Sequence, residues 1–110
     1  MVIADYKKAM LNKDYKALSE CFAKKCSLFD YCPAGAGKED FFIYGREAID
    51  MFYHNQFILR GLSILDPQIV NERTLNFYGN YGGVIIHAVA TIESYDPDSG
   101  LISEMVIRPA

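Results

Sequence analysis

The sequence has little of what would mark a stapled, metal-built or membrane-embedded protein. Its three cysteines, Cys21, Cys26 and Cys32, are odd in number and form no Cys-x-x-Cys pair. That speaks against a disulfide framework and a zinc site, and leaves reduced thiols. No apolar run approaches the roughly 20 residues that a membrane helix needs. The N-terminus carries Asp5, Lys7 and Lys8 where a signal peptide requires its apolar centre, so the expectation is a soluble, cytoplasmic protein. Basic residues are not in excess. With 11 Lys and Arg against 14 Asp and Glu, the net charge is -3, and a nucleic-acid surface would want the opposite sign. Repeats and linkers are absent. The 110 residues make one domain, 1–110, since two would leave neither with a core.

What the sequence does hold is apolar surface to bury, with 51% hydrophobic residues against 23% charged ones. Ile3, Tyr6 and Met10 fall at i, i+3, i+7, one face of a helix. Asn12-Lys13-Asp14 interrupts that pattern, and Asp14 caps a second helix with Tyr15, Leu18 and Phe22 as its stripe. Cys26 to Tyr31 reads as a short strand, followed by a loop through Pro33, Gly35 and Gly37. A third helix starts at Gly45-Arg46-Glu47 with Ile49, Phe52, Tyr53 and Phe57 inward, and stops at Gly61. From Leu62 the chain reads as strands. Leu62 to Val70 is an edge or bulged strand because Asp66-Pro67 interrupts it. Thr74 to Asn80, Val84 to Tyr95 and Leu101 to Arg108 follow, separated by the turns Tyr81-Gly82-Gly83 and Asp96 to Gly100. The order predicts an α+β fold: three N-terminal helices packed on a curved antiparallel sheet, a cone with an internal pocket.

The long strand sets the expected face of the pocket. His87, Val89, Thr91, Glu93 and Tyr95 share one side, and Ile86, Ala88, Ala90 and Ile92 share the other. The second side is apolar throughout, so both faces need covering. The reading adopted is that His87, Val89 and Thr91 face the helices. Ile86, Ala88, Ala90 and Ile92 then face outward and pack on a second copy, giving a homodimer through the outer sheet face. Met105 and Ile107 complete the inner wall, opposite Phe52 and Tyr53 of the third helix.

Leu28 and Asp30 point the same way on the first strand. If that face is the core, Asp30 is a carboxylate in apolar surroundings and its pKa should rise. Such a group suits a general base near neutral pH; the alternative is that Asp30 caps the following loop. Tyr6, inward beside Ile3 and Met10, is a phenol that needs a partner. His87 is the histidine on the expected wall, a residue type suited to proton transfer. His54 lies at the margin of its helix, Glu93 at the pocket rim. Other patterns fall short. Gly35-Ala36-Gly37-Lys38 lacks the first glycine and the Ser/Thr of a phosphate loop, and Asp96-x-Asp98-x-Gly100 is a hairpin turn too short for calcium. Cys32 reads as an inert buried thiol. No His and carboxylate set has metal-ligand spacing, and no cofactor is expected.

Asp30, the loop after it and Gly45-Arg46-Glu47-Ala48-Ile49-Asp50-Met51-Phe52-Tyr53 together resemble the SnoaL-like and ketosteroid-isomerase-like proteins of the nuclear-transport-factor-like α+β cone superfamily. In that family an acidic residue on the first strand precedes a Gly-Arg-Glu-x-Ile-x-x-Phe-Tyr helix start; the loop from Cys32 to Tyr44 is longer here. The resemblance implies that Asp30 is the general base, Tyr6 the oxyanion donor and Tyr53 the tyrosine supporting it. The chain departs at Thr91, where those enzymes keep a neutral carboxylic acid. The fold hosts isomerases, cyclases, dehydratases and binding proteins. The resulting expectation is a pocket for a small apolar or carbonyl-containing ligand, lined by Leu28, Phe52, Tyr53, His87, Val89, Thr91, Met105 and Ile107. Its reaction would be proton abstraction next to a carbonyl, leading to isomerisation, cyclisation or elimination. The alternative is a non-catalytic ligand-binding or dimerisation module of the same fold.

Overall fold

The computed structural model describes residues 1–110. Two helices open the chain, α1 (Val2–Asn12) and α2 (Tyr15–Glu20), joined where Lys13 takes a left-handed conformation. Asp14 caps α2 as its spacing suggests, accepting from Ala17 N at 3.0 Å. Strand β1 (Phe22–Asp30) follows, then a short strand β2 (Phe41–Tyr44) and helix α3 (Arg46–His54). A π-helical turn over Asn55–Leu59 extends α3. The remainder is β3 (Ile64–Asn71), β4 (Thr74–Tyr81), β5 (Val84–Tyr95) and β6 (Ile102–Pro109). The Cα radius of gyration is 12.6 Å, and no helix is long and apolar enough to cross a membrane.

The six strands form one sheet in the order β2-β1-β6-β5-β4-β3. It is α+β as expected and it is not a closed barrel, with β2 and β3 at its edges. Two expectations change. The helices are not all N-terminal, because α3 follows two strands. The sheet is mixed rather than antiparallel, because β1 runs parallel to β6. The chain reaches β6 only after a meander, so first and last strands meet side by side. Phe22 belongs to β1 rather than to the stripe of α2, which ends at Glu20. The interruption at Asp66-Pro67 is a bulge in β3, with Asp66 at φ 48°, which spoils the edge for pairing with another chain.

Side-chain parity reverses the expected faces of β5. Ala88, Ala90 and Ile92 are fully buried in the core, and Ile86 packs against it. His87 is exposed and stacks on Tyr78 with ring centroids 4.6 Å apart; Val89 and Thr91 are half-buried on the same outer side. His87, Val89 and Thr91 are therefore not part of the inner wall, and Ile86, Ala88, Ala90 and Ile92 are not an outer contact patch. The physical reason is the uninterrupted apolar set itself. A sheet with one wetter face turns its unbroken apolar side to the core, and the small Ala88 and Ala90 belong to that side. Met105 and Ile107 on β6, Leu28 on β1, and Leu75 and Phe77 on β4 share the inner face in the same cluster.

Candidate functional site

Asp30 ends β1, beside Phe41 of β2 and Ile107 of β6. Its side chain points inward and is 4% exposed, the one carboxylate among the buried residues. Oδ1 accepts from Cys32 N at 2.9 Å and Oδ2 accepts from the Tyr81 hydroxyl at 2.9 Å. The first bond is a turn cap, so Asp30 both faces the core and caps its loop. Burial drives its pKa up from the ordinary carboxylate value to about 6; the Cys32 amide, the Tyr81 hydroxyl and the Cys32 thiol hold it back from rising further. The carboxyl therefore changes charge close to neutrality.

Tyr81 closes β4 on the inner face, and its ring lies across Gly79. A Cβ on Gly79 would stand 2.7 Å from Tyr81 Cε2, so the ring can take this course only because residue 79 is glycine. Burial and the neighbouring Asp30 charge raise the Tyr81 phenol well above its usual value, which keeps it a donor. Sequence reasoning placed residue 81 in a turn and missed it. Alternation from Leu75 through Phe77 would have extended β4 and turned Tyr81 inward.

Tyr6 comes from the buried face of α1 and is completely enclosed. Its hydroxyl makes no well-aligned hydrogen bond, and the polar group that acts on it is the Tyr53 hydroxyl. Burial foremost, then the Asp30 charge, pushes its pKa up, while the neighbouring Tyr53 hydroxyl opposes the rise. Tyr53 projects from α3 into the same interior, and its phenol is likewise raised by burial first and by Tyr6 and Asp30 next. Phe41, Phe52, Tyr53 and Phe57 line up in successive aromatic contacts with centroids 4.7, 5.1 and 5.3 Å apart. Tyr6 itself meets Phe22 edge to face at 6.4 Å.

The structure thus brings Asp30, Tyr6 and Tyr53 together, with Leu28, Met105 and Ile107 in the surrounding core and Phe52 half-buried beside it. It adds Tyr81 and Cys32. It leaves His87, Val89 and Thr91 on the far side of the sheet. Cys32 is fully buried, and burial and Asp30 raise its thiol to about 12, so it stays protonated. His54 lies against Tyr15, edge to face at 4.8 Å. The surface clefts of the molecule are lined by other residues, and neither Asp30 nor Tyr6 borders any of them. The interior polar cluster is enclosed. No group of His, Cys, Asp and Glu side chains is arranged to hold a metal ion.

No family model and no curated protein matches the sequence. Solved structures do. A protein of unknown function with a cystatin-like fold from Methylobium petroleophilum superposes with a TM-score of 0.69 at 18% identity, over 99% of this chain and 73% of that one. An NTF2-like protein of unknown function from Cytophaga hutchinsonii gives 0.66 at 10% identity, over 99% and 87%. A SnoaL-like protein of unknown function from Burkholderia thailandensis gives 0.64 at 11% identity, over 98% and 91%. At these identities the likeness is one of fold. The chain has the cystatin-like α+β cone fold shared by NTF2-like and SnoaL-like proteins.

Proposed function

We propose that this protein binds a small carbonyl-containing apolar molecule at the Asp30 centre and removes a proton from the carbon next to its carbonyl. The observation that carries the reading is the pairing of a buried carboxylate, its pKa raised to about 6, with a buried Tyr6 hydroxyl that has no well-aligned partner, in one apolar interior. An orphaned buried hydroxyl costs free energy, and an oxygen of a bound carbonyl would satisfy it. In the step, the Asp30 carboxylate takes the α-proton. The C–H electron pair forms the new C=C bond, the carbonyl π pair moves onto oxygen, and Tyr6 donates a hydrogen bond to that oxygen. Returning the proton to another carbon gives an isomer; expelling a β-leaving group gives elimination. Tyr81 holds the second carboxylate oxygen and so orients the base.

The test is exchange of α-hydrogen for deuterium in D₂O, read by mass spectrometry. The probes are steroid-like, polyketide-like and small aromatic ketones first ranked by thermal shift. Exchange above the background rate that disappears in Asp30→Asn supports the reading. Thermal shifts without exchange favour the second reading, a binding module of the same fold, for which the enclosure of Asp30 and Tyr6 away from every cleft speaks.

The partner on the protein side is a second copy, seated on the outer sheet face. That face carries Phe29, Tyr31, Phe42 and Tyr44 in edge-to-face contacts with centroids 5.7 to 5.8 Å apart. Phe42 and Tyr44 are 55% and 67% exposed. A connected aromatic surface of this kind is suited to association, and a two-fold contact would set it against itself.

A further inference from the structure

We propose that residues 32–40 form a strap that closes the Asp30 centre, and that ligand enters by local release of this strap. The inference rests on the Asp30 centre read above, but its test needs no ligand.

The geometry at one end of the sheet carries it. The register places the C-terminal ends of β1 and β4 and the N-terminal end of β5 together there, with Asp30, Tyr81 and Ile86 on the inner side. The strap lies over that end. Cys32 N is bonded to Asp30, and the 3₁₀ turn Pro33–Ala36 follows with Pro33 buried and Ala36 packed on the core. Gly35 rests on Ile86, where a Cβ would stand 3.2 Å from Cδ1. The Lys38 side chain occupies the space over Gly82 in the β4–β5 turn. Cys32, Pro33, Gly35 and Lys38 therefore bridge from the Asp30 strand to the hairpin across that end of the sheet.

The strap is also built to move as one piece. Its backbone bonds run within itself: Gly35 N to Cys32 O, Gly37 N to Ala34 O and Lys38 N to Pro33 O, at 3.0 to 3.1 Å. Ala34 N is capped by Asp40 Oδ1 at 3.1 Å, again inside the strap. The backbone hydrogen bond it makes to the rest of the molecule is donated by Cys32 N to Asp30 Oδ1, and the Cys32 thiol adds contacts to Asp30 and Tyr81. Its two ends are held close by the Asp30 and Phe41 pairing of β1 with β2. A compact loop with adjoining ends and internal hydrogen bonds, anchored on the core chiefly through Cys32 and Pro33, opens without unfolding the sheet. Opening frees both Asp30 and the Cys32 thiol, and closing excludes water from them.

Cys32 is the reporter, since it is fully buried and sits at the strap's root. The experiment is thiol labelling of the full chain at pH 8 in increasing urea, with the modified site located by peptide mass mapping. The expected result is a Cys32 rate nearly independent of low urea, well below the slope of the equilibrium urea melt. Asp40→Ala, which removes the Ala34 cap, should speed it about fivefold with the melting midpoint little changed. Lys38→Ala, at an exposed position, is the second variant and should act in the same direction. The proposal is overturned if Cys32 is labelled with the full urea slope of global unfolding, or if both variants leave its rate unchanged relative to their global stability.

Discussion

Tyr81 reaches Asp30 with its ring packed closely over Gly79. The hydroxyl donates to Asp30 Oδ2 at 2.9 Å, and a Cβ at residue 79 would stand 2.7 Å from the ring. Gly79→Ala should therefore swing the phenol off the carboxylate while leaving the strand backbone intact. Tyr81→Phe removes the same bond without moving the ring. In both variants Asp30 loses a donor that favours its charged form, so its pKa moves up from about 6. Hydrogen bonds to charged groups are worth about 1.5–3 kcal/mol, so proton affinity at Asp30 should rise at least roughly tenfold. A carbon-detected NMR titration of the Asp30 carboxyl reads this directly. An unchanged titration would mean that the Tyr81 bond does not hold the carboxylate.

The ionisation of Asp30 makes the fold's stability depend on pH in a definite direction. Its folded pKa, about 6, lies above the unfolded value of 3.8. The native state then binds more protons than the unfolded state between those values, so stability is greatest below the lower one and falls as pH rises through the higher one. Two pH units correspond to about 3 kcal/mol. Asn cannot ionise, so the stability of Asp30→Asn relative to wild type should improve by about that amount between pH 4 and pH 8. Urea melts of both proteins at the two pH values check it. If Asn instead loses ground at pH 8, the carboxylate is an ionised cap on the loop, and the base assignment fails.

Much of this was legible in the residues, and the failures have identifiable causes. The caps and periodicities gave α1, α2, α3 and the four later strands to within a few residues. The placement of Asp30 and Tyr6 in the interior followed from the parity of Leu28 with Asp30 and the stripe of Ile3, Tyr6 and Met10. Strand β2 was lost because Phe41–Tyr44 is only four residues long and its one strand partner, β1, lies more than ten residues earlier. The parallel pairing of β1 with β6 joins the two ends of the chain, and no local pattern encodes that. The β5 register failed for a different reason. The unbroken apolar side, Ile86, Ala88, Ala90 and Ile92, was assigned to a second copy, over the simpler rule that such a side is the one the helices bury.

That reversal moves the outer surface of the proposed dimer to other residues. Thr91, half-buried on the outer face beside Val106, now stands where Ala90 was expected. Thr91→Arg should give a folded monomer by light scattering at micromolar concentration, since it sets a charge in the contact. Ala90→Arg should instead fail to fold, because Ala90 has no exposed surface and an unpaired guanidinium would be driven into the core. A wild-type monomer sinks the dimer; a soluble, folded Ala90→Arg sinks the register.

The enclosed Tyr6 hydroxyl sets stability against function. It is buried without a well-aligned partner, and an unsatisfied buried polar group costs about 1–3 kcal/mol. Phenylalanine keeps the ring, its edge-to-face contact with Phe22 and the volume, and removes only the oxygen. Tyr6→Phe should therefore melt at least as high as wild type, with a gain of about 1 kcal/mol in urea. The same change deletes the donor proposed for the carbonyl oxygen, so the α-hydrogen exchange rate should fall by two to three powers of ten, roughly the worth of one oxyanion donor. The two readouts discriminate. A structural tyrosine that relies on the neighbouring Tyr53 hydroxyl would make Tyr6→Phe less stable. A spectator would leave exchange untouched. Only a hydroxyl held unpaired for a ligand gives a more stable protein that has lost its chemistry.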